Sequence, residues 1–159
     1  MITNIREYLG NPIQIGLMVR NFEQAKQAYA ELLGMREFRK GAFPPEDGTD
    51  GESMYHGKKG DFNANFYFYE FGNIQFEMIE PLEGESIWKD FLGESKKFGL
   101  HHIKFEVDRL EPLDEYFAQF GVKRSQQGAA VGPNKGKTWV YYDTMDLLGF
   151  DIEVFNRIF

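Results

Sequence analysis

The sequence predicts an α+β fold built from two βαβββ modules, because the second half of the chain repeats the first. The strand-like run Ile13–Val19 returns as His101–Val107, and each run leads into a helical segment. Later in each half, Ile74–Ile79 returns as Phe150–Phe155, with one glutamate at the same place in an otherwise apolar face. Self-similarity of this kind is typical of a fold assembled from copies of one supersecondary unit.

The chain has the length of one domain, 159 residues, and the two modules span about residues 11–82 and 98–157. A module of about 70 residues buries too little surface to be stable alone. We therefore expect both modules to share one sheet or core, so that residues 1–159 form a single domain.

The first module begins with alternating residues at 12–19, a pattern that predicts a strand with two different faces. Asn21 can cap the helix that follows, and Gln24 three residues later completes a capping box. Gly34 predicts the end of this helix. A short strand is then expected near Met35–Arg39.

The middle of the first module contains a long segment, Gly41–Asp61, with two prolines, several glycines and more acids than bases. It predicts a long loop, which is either a lid over a binding site or a disordered excursion. Two strands, Asn63–Phe71 and Asn73–Pro81, are then expected to pair around a turn that contains Gly72.

The second module is reached through a short connection, in which Ser86 can cap a helix over Ile87–Leu92. The module then follows the order of the first, with a helix that has Pro112 near its first turn and ends at Gly121. Its remaining predicted segments are a Gly-rich loop, Gln127–Lys137, and the strands Thr138–Asp143 and Phe150–Phe155.

Composition excludes several classes of function. The net charge of −7 disfavours a nucleic-acid partner, which would require a dense field of Lys and Arg. No apolar run approaches the roughly twenty residues that span a bilayer, and the first residues lack a secretory signal, so we expect a cytoplasmic protein without a membrane partner. The absence of cysteine leaves oxygen and imidazole as the metal ligands.

A homodimer is expected, because two-fold dimers are the commonest soluble oligomers.

The repeat aligns four residues that can hold a metal ion. Gln14 falls against His102, and Glu77 falls against Glu153. All four lie in runs that predict buried strands, where an unpaired carboxylate would be costly to desolvate. We expect a curved, mostly antiparallel sheet to direct them into one metal-binding cavity on a pseudo-twofold axis. This ligand set would accept a divalent cation, whether zinc, nickel, cobalt or manganese, with coordination positions left for a substrate.

The other two histidines are not expected to be ligands. His56 lies in the polar loop, and His101 should point to the strand face opposite that of His102. We interpret both as structural or surface residues. The imidazole of the predicted site is therefore assigned to His102 alone, and the remaining ligands must be oxygen atoms.

A metal ion with open coordination positions suits one kind of chemistry. It can hold a carbonyl oxygen and stabilise the enolate that forms when a proton leaves the adjacent carbon. Glu153 or Glu77 could act as the base, because burial can raise the pKa of a carboxylate toward neutrality. These two glutamates are the predicted catalytic residues.

From Ile13 to Phe155 the chain resembles the vicinal oxygen chelate superfamily, the group of glyoxalases, bleomycin-resistance proteins and dioxygenases. The run Gly99–Asp108, which follows Glu80–Ser86, is most similar to the methylmalonyl-CoA epimerase-like members. The resemblance implies paired βαβββ modules around a metal site. It places the four metal ligands of the superfamily on Gln14, Glu77, His102 and Glu153.

Two features depart from the epimerase pattern. Epimerases usually have His at the position of Gln14, whereas Gln occurs there among glyoxalase I-like members. The epimerases also have a further acid on the strand before Glu77, where this chain has only Asn63–Phe68. Extradiol dioxygenases and fosfomycin-resistance enzymes resemble one another in needing two His and one Glu, and this chain is one His short.

The sequence therefore predicts a metal-dependent lyase or isomerase of the glyoxalase (lactoylglutathione lyase) or methylmalonyl-CoA epimerase type. The expected partner is a small-molecule substrate, either an acyl-CoA thioester or a thiol hemithioacetal. The alternative is a non-catalytic small-molecule-binding protein of the same fold, similar to bleomycin-resistance proteins. Metal binding separates the two, because the binding-only relatives lack the metal ligands.

Overall fold

The computed structural model describes residues 1–49, 51–95 and 98–157, and within them ten strands form one sheet. The strands are β1 (Gln14–Val19), β2 (Arg39–Phe43), β3 (Met54–Tyr55), β4 (Lys58–Lys59), β5 (Ala64–Glu70), β6 (Gln75–Pro81), β7 (Phe98–Val107), β8 (Arg124–Ala129), β9 (Thr138–Tyr142) and β10 (Asp151–Asn156). The α-helices of these ranges are α1 (Ile5–Leu9), α2 (Phe22–Leu33), α3 (Ile87–Leu92), α4 (Glu111–Ala118) and α5 (Met145–Leu148).

The sheet is nearly symmetric about its centre. Its order is β2-β5-β6-β1-β7-β10-β9-β8-β3-β4, so the first strands of the two halves, β1 and β7, lie side by side and antiparallel. Each is flanked by the last strand of its own half, β6 or β10, which runs parallel to it. The other strand pairs are antiparallel. The sheet curls into a half-barrel, which confirms the predicted α+β fold with a curved, mostly antiparallel sheet.

Side-chain caps explain where the predicted helices begin. Oδ1 of Asn21 accepts a hydrogen bond from the backbone N–H of Gln24 at 3.2 Å, at the start of α2. Gly34 ends the same helix with a φ of 71°, a left-handed conformation that glycine adopts without steric cost. Oγ of Ser86 accepts from the backbone N–H of Lys89 at the start of α3. The predicted helices that follow Asn21 and Ser86 are confirmed.

The strand predicted near Met35–Arg39 is wrong, because β2 begins only at the last of these residues and continues to Phe43. Met35 is instead buried in the apolar cluster beneath α2. The chain that leaves α2 therefore fills the core before it reaches the sheet edge, where it pairs with β5. β2 ends before Pro44, since proline has no N–H to donate to a strand ladder.

The loop predicted over Gly41–Asp61 is wrong in part, because it begins inside β2 and contains a hairpin made of β3 and β4. His56 and Gly57 form the turn with positive φ values of 47° and 77°, the combination that a tight two-residue hairpin turn requires. β3 also pairs with β8, so this insertion of the first half joins the edge of the second. Asp50, within the same segment, lies outside the described residues.

In the second half, the loop predicted over Gln127–Lys137 begins too early. Residues as far as Ala129 belong to β8, which pairs with β9, and a 3-10 turn follows at Gly132–Asn134. Helix α4 ends at Ala118, before the expected Gly121. The short helices α1 and α5 are absent from the sequence prediction, because neither is long enough to show a helical periodicity.

Three apolar clusters support the sheet. One joins α2 to β1, β5 and β6, and a second joins α4 to β7, β9 and β10. The third joins α3 to strands of both halves and is strongly aromatic, with Trp88 and Trp139 both buried. This third cluster borders the cavity that contains the candidate site. Within the described ranges, no helix has the length and apolar character needed to cross a bilayer.

Candidate metal centre

The structure brings the four predicted ligands together between β1, β6, β7 and β10. Nε2 of His102 lies 3.1 Å from Oε2 of Glu153 and 3.4 Å from Oε1 of Glu77. The same nitrogen lies 3.3 Å from Oε1 of Gln14. One ligand atom of each glutamate and one of the histidine are all within 4.8 Å of one another. All four side chains are buried, so the convergence expected from the repeat is present.

The strand register explains this convergence. Gly16 lies opposite His102 on β7 and beside Glu77 on β6. A Cβ atom at Gly16 would lie 1.8 Å from Cε1 and 2.0 Å from Nε2 of the His102 ring. Any side chain at this position would therefore occupy the place of the imidazole. Glycine is required here by the site, and not by the backbone conformation of the strand.

The expectation that His101 points away from the site is wrong. On β7, Leu100 faces Leu17 whereas His102 faces Gly16, so the register shifts at His101. Such a bulge breaks the strict alternation of side chains along a strand. His101 is only 1% exposed, and its Nδ1 lies 3.1 Å from Nδ1 of His102. It is a structural residue, as interpreted from the sequence, but it belongs to the hydrogen-bond network of the site.

A hydrogen-bond chain orients the ring of His102. When Nε2 of His102 faces a metal ion, its Nδ1 carries the proton and donates to Nδ1 of His101. Nε2 of His101 then carries a proton that faces Oδ2 of Asp151, 3.5 Å away. Oδ1 of Asp151 accepts from the backbone N–H groups of Thr144 and Met145, which fixes the carboxylate. Because the chain ends in a carboxylate, the free lone pair of His102 is directed at the centre of the site.

The amide of Gln14 is oriented by an equivalent chain in the first half. Its Nε2 donates to Oε1 of Gln75 at 2.6 Å, and Nε2 of Gln75 donates to Oε1 of Glu70 at 2.6 Å. An ionised carboxylate only accepts hydrogen bonds, so each amide in the chain turns its oxygen toward the site. Gln14 thus presents Oε1, the atom that a cation binds. Gln75 and Asp151 hold equivalent places, beside Gln14 and His102 respectively.

Lys104 is a residue of the site that the sequence analysis missed. It is 4% exposed and lies between Gln14 on β1 and Glu153 on β10. Its Nζ lies 3.0 Å from Oε1 of Glu153 and 3.4 Å from the ring centroid of Phe155. The signal that could have revealed it is its position two residues after His102, which places both side chains on one face of the strand.

The charges of the site shift the pKa values of its members. Burial lowers the pKa of His102, but the carboxylates of Glu153 and Glu77 outweigh burial and raise this pKa to about 9. Burial would raise the pKa of Glu153, but Lys104 and His102 outweigh it and lower the pKa below its usual value. The expectation of a raised pKa is therefore wrong for Glu153. Asp151 does show a raised pKa, about 6, chiefly because it is buried.

The side chains present fit a divalent cation. Oε2 of Glu153 is buried, and its neighbour Nε2 of His102, 3.1 Å away, does not have hydrogen-bond geometry to it, so the oxygen has no described hydrogen-bond donor once the imidazole is neutral. A buried carboxylate oxygen in this state is unfavourable, and a cation is the kind of partner that relieves it. Oxygen atoms of Gln14, Glu77 and Glu153, together with Nε2 of His102, form a mixed oxygen and nitrogen set that zinc, nickel, cobalt and manganese all accept.

The candidate centre opens into a cavity of about 320 Å³. Its polar end contains Gln14, Glu77, Lys104 and Glu153. Much of the wall is aromatic and consists of Phe43, Phe66, Phe68, Trp88, Trp139, Tyr141 and Phe155. A mostly apolar cavity with a few convergent polar groups at one end is the usual form of a small-molecule site.

Two other predicted features lie outside the centre. His56 is half-exposed in the β3–β4 hairpin, with Nε2 3.8 Å from Oδ2 of Asp90, so its interpretation as a structural or surface residue is confirmed. On β5, which the structure describes completely, Phe66 and Phe68 line the cavity. This strand contributes no carboxylate to the cavity wall, in agreement with the missing acid noted in the sequence.

Comparison with known proteins identifies the family. Residues 13–142 match the model of the Glyoxalase/Bleomycin resistance protein/Dioxygenase superfamily. The chain belongs to this superfamily. The match covers the first half of the repeat, most of the second half and three of the four predicted ligands, and it confirms the resemblance inferred from the sequence.

Several proteins that are similar to this chain are methylmalonyl-CoA epimerases. The mitochondrial methylmalonyl-CoA epimerase of Bos taurus is 24% identical over 146 residues, which cover 92% of this chain and 74% of that protein. The structure of methylmalonyl-CoA epimerase from Mycobacterium tuberculosis matches with a TM-score of 0.61 at 17% identity, covering 99% of this chain and 93% of that one. A Streptomyces coelicolor methylmalonyl-CoA epimerase in complex with 2-nitronate-propionyl-CoA matches with a TM-score of 0.59 at 15% identity, covering 95% and 99%. The structures share the fold, and the epimerase relatives support an enzyme-like role.

Proposed function

We propose that the protein is a metal-dependent isomerase or lyase that removes a proton from the carbon next to a carbonyl group. The observation that supports this most is the convergence of Glu77, His102 and Glu153 at the polar end of an apolar cavity. Gln14 completes the proposed ligand set, with its amide oxygen toward the same point. The proposed cation is divalent, with zinc, nickel, cobalt and manganese as the candidates.

The residues of the site would divide the reaction between them. A cation held by the four ligands would polarise the carbonyl group and stabilise negative charge on its oxygen. The adjacent C–H bond breaks, its proton passes to a carboxylate oxygen of Glu153 or Glu77, and the electron pair moves toward the carbonyl oxygen. Return of the proton by the same carboxyl group to the neighbouring carbon would complete a hemithioacetal isomerisation. Epimerisation would instead require the other glutamate, in its protonated form, to deliver a proton to the opposite face of the same carbon.

The choice of base depends on what surrounds each glutamate. Lys104 contacts Oε1 of Glu153 and lowers the pKa of this carboxyl group, which weakens it as a base while the contact lasts. Glu77 lies 3.4 Å from His102, a neighbour that is neutral whenever it binds a metal ion. Replacing each glutamate by Gln separates the two roles, because the amide keeps a ligand oxygen and loses the ability to accept the proton.

We propose an acyl-CoA thioester as the substrate, with a thiol hemithioacetal as the second candidate. The relatives named above are epimerases of methylmalonyl-CoA by name, which favours the thioester. Gln14, at the position where epimerases usually have His, favours the glyoxalase type. A homodimer and a cytoplasmic location are proposed on the sequence arguments alone.

Metal content and hydrogen exchange test the proposal. The purified protein should bind a divalent cation in a one-to-one ratio, and His102→Ala and Glu153→Ala should each abolish binding. In deuterium oxide, the metal-loaded protein should introduce deuterium at the α-carbon of methylmalonyl-CoA. Lys59→Ala, an exposed substitution on β4, is the matched control and should change neither result. A metal-free protein with an occupied cavity would contradict the proposal and support the non-catalytic binding alternative.

A further inference from the structure

The aromatic wall of the cavity contains two polar groups that are not part of the proposed ligand set, the indole N–H of Trp88 and the hydroxyl of Tyr141. Both residues line the cavity, and each is only 1% exposed. Trp88 belongs to α3, whereas Tyr141 lies on β9 directly beside Glu153 of β10. Because register partners on adjacent strands share a face of the sheet, the phenol adjoins the candidate metal centre.

This corner of the protein is short of hydrogen-bond acceptors. Nε1 of Trp88 has no hydrogen-bond partner among the described residues. Gln126 of β8 is the register partner of Tyr141, and its Oε1 accepts from the backbone N–H of Ile87 at 2.9 Å. Its Nε2 is buried and has no partner in the described ranges. Indole and amide N–H groups can only donate, and buried donors without an acceptor are unfavourable. An oxygen atom would satisfy them.

Tyr141 adds a third donor at the same place. Burial, together with the charges of Glu153 and Glu77, raises the pKa of Tyr141 well above its usual value, so the phenol keeps its proton. The indole of Trp88 lies near enough to the phenol oxygen to oppose this rise of the pKa in part. No hydrogen bond of good geometry joins the two groups, however. One acceptor atom between them could accept from both the indole N–H and the hydroxyl.

The charges around this corner indicate what kind of acceptor fits. A divalent cation at the proposed centre, together with Lys104, would balance the three buried carboxylates of Glu77, Glu153 and Asp151. Arg39 also lines the cavity but is exposed to solvent. The loaded site therefore has no excess charge that would favour an anion. An uncharged oxygen can accept both hydrogen bonds without repulsion from the carboxylates.

We propose that Trp88 and Tyr141 form an oxygen-binding subsite, in which the indole N–H and the phenol hydroxyl donate to one uncharged oxygen of the substrate. This inference rests on the proposed function, because a metal-bound carbonyl would direct the rest of the substrate toward the aromatic wall. The substrate class is then a carbonyl compound with a second, uncharged oxygen near the reacting carbon. A site of this kind rejects an analogue that lacks the oxygen, since its buried donors stay unpaired.

Binding of two matched probes tests the inference. The N-acetylcysteamine thioesters of 3-methoxy-2-methylpropanoate and 2-methylpentanoate differ only in an ether oxygen that replaces a methylene group. Calorimetric titration of the metal-saturated protein gives the preference for the ether over the alkyl probe. This preference should be at least about tenfold larger in wild type than in Tyr141→Phe or Trp88→Phe, or about 1.4 kcal/mol. Tyr142→Phe is the matched control and should keep the wild-type preference, because its hydroxyl donates to Asp114 at 2.7 Å and does not line the cavity.

Deuterium exchange at the α-carbon, measured on the same samples, separates the possible failures. The inference is overturned if the preference is unchanged in both Tyr141→Phe and Trp88→Phe, or if wild type binds neither probe. Exchange without such a preference would refute the subsite and leave the proposed function standing. A preference that depends on Tyr141 and Trp88, without exchange in either probe, would refute the proposed function and leave the subsite. If the thioester of methylmalonate shows this dependence and the ether does not, the acceptor is an anion and the assignment of an uncharged oxygen is wrong.

Discussion

The two halves of the chain form one site but contribute unlike groups to it. The first half has Gln14 and Gly16 at the places where the second half has His102 and Lys104. The halves meet so that Gly16 faces His102 and Gln14 faces Lys104. The imidazole therefore lies over a glycine, whereas the residue opposite the amide is a lysine. The two candidate ligands therefore face unlike residues across the pseudo-twofold axis, and we infer that the size of the opposite residue determines whether an imidazole or an amide fits.

The hydrogen-bond chains that orient Gln14 and His102 also differ between the two halves. In the first half the chain passes through Gln75 and ends at Glu70, which is exposed to solvent. In the second half it passes through His101 and ends at Asp151, which is buried. Water can replace an exposed acceptor but not a buried one. The second half should therefore control the strength of metal binding more than the first.

The largest loss of metal binding is expected when the space that Gly16 leaves for the ring of His102 is filled. Gly16→Ala places a methyl group 1.8 Å from Cε1 of His102, so the ring has to leave its position and metal binding should be lost. Calorimetric titration with zinc measures the loss. Gly41→Ala is the matched control, because its added Cβ meets only an ordinary contact at 3.5 Å with Phe68 and should leave binding unchanged. Wild-type affinity in Gly16→Ala would show that His102 is not a ligand.

Substitutions at Gln14 and at the facing Lys104 test whether the residue across the axis determines which ligand fits at position 14. Gln14→His alone should weaken metal binding, because the larger imidazole ring would stand opposite Lys104, whereas the ring of His102 stands opposite a glycine. Gln14→His combined with Lys104→Gly reproduces in the first half the pairing of His102 with Gly16, and should restore binding at least to the wild-type level. Metal titration of the two variants gives the comparison. Equal metal affinities in the single and double variants would contradict the inference that Lys104 determines which residue fits at position 14.

Asp151→Asn tests the orienting chain of the second half. The amide keeps an oxygen for the N–H groups of Thr144 and Met145 but presents a donor to His101, which removes the acceptor at the end of the chain. Loss of such a supporting partner lowers metal affinity by about 10- to 100-fold. Glu70→Gln, in the exposed first chain, should have a smaller effect. A larger effect of Glu70→Gln than of Asp151→Asn would reverse the order inferred for the two halves.

Metal binding should also depend on pH, since a metal ion binds only the neutral imidazole. In the metal-free protein the pKa of His102 is raised from 6.5 to about 9, so binding below that pH displaces a proton. The apparent affinity should rise about tenfold per pH unit and level off near pH 9. The raised pKa of His102 also contributes to the free energy of unfolding of the metal-free protein. This contribution is fully present below about pH 6.5 and is lost as the pH rises through about 9.

Calorimetry in buffers of different ionisation enthalpy measures the proton release directly. At pH 7 nearly one proton should be released for each cation bound, because His102 is protonated in the metal-free protein. Titration of Lys59→Ala, on the exposed strand β4, should give the same value and serves as the control. An affinity that does not change between pH 7 and pH 9 would contradict the assignment of His102 as the imidazole ligand.

The sequence was sufficient to predict that these four side chains converge, because their positions are periodic. Glu77 and Glu153 fall at the same place in duplicated strands, and alternation along β1 and β7 brings Gln14 and His102 to the same face. The curled sheet and its mostly antiparallel order follow from the same repeat. These features depend on local spacing and on the internal comparison, both of which a single sequence contains.

The features that the sequence did not predict depend on contacts between distant segments. The bulge at His101 is set by the register between β1 and β7, and the β3–β4 hairpin is supported by its pairing with β8. Lys104 has the correct parity, but the repeat aligns it with Gly16, which has no side chain, so the duplication does not indicate a role for it. The low pKa of Glu153 was missed for the same reason, since Lys104 is a main cause of it.

The central claim is that side chains from both halves hold one divalent cation. Diffraction data collected at the absorption edge of zinc or cobalt, from crystals grown with that metal, test it most directly. We predict a single strong anomalous peak in each chain, bound by Oε1 of Gln14, Nε2 of His102 and a carboxylate oxygen from each of Glu77 and Glu153. A peak held elsewhere, or a site closed by Lys104 with no metal ion between the two glutamates, would contradict the account.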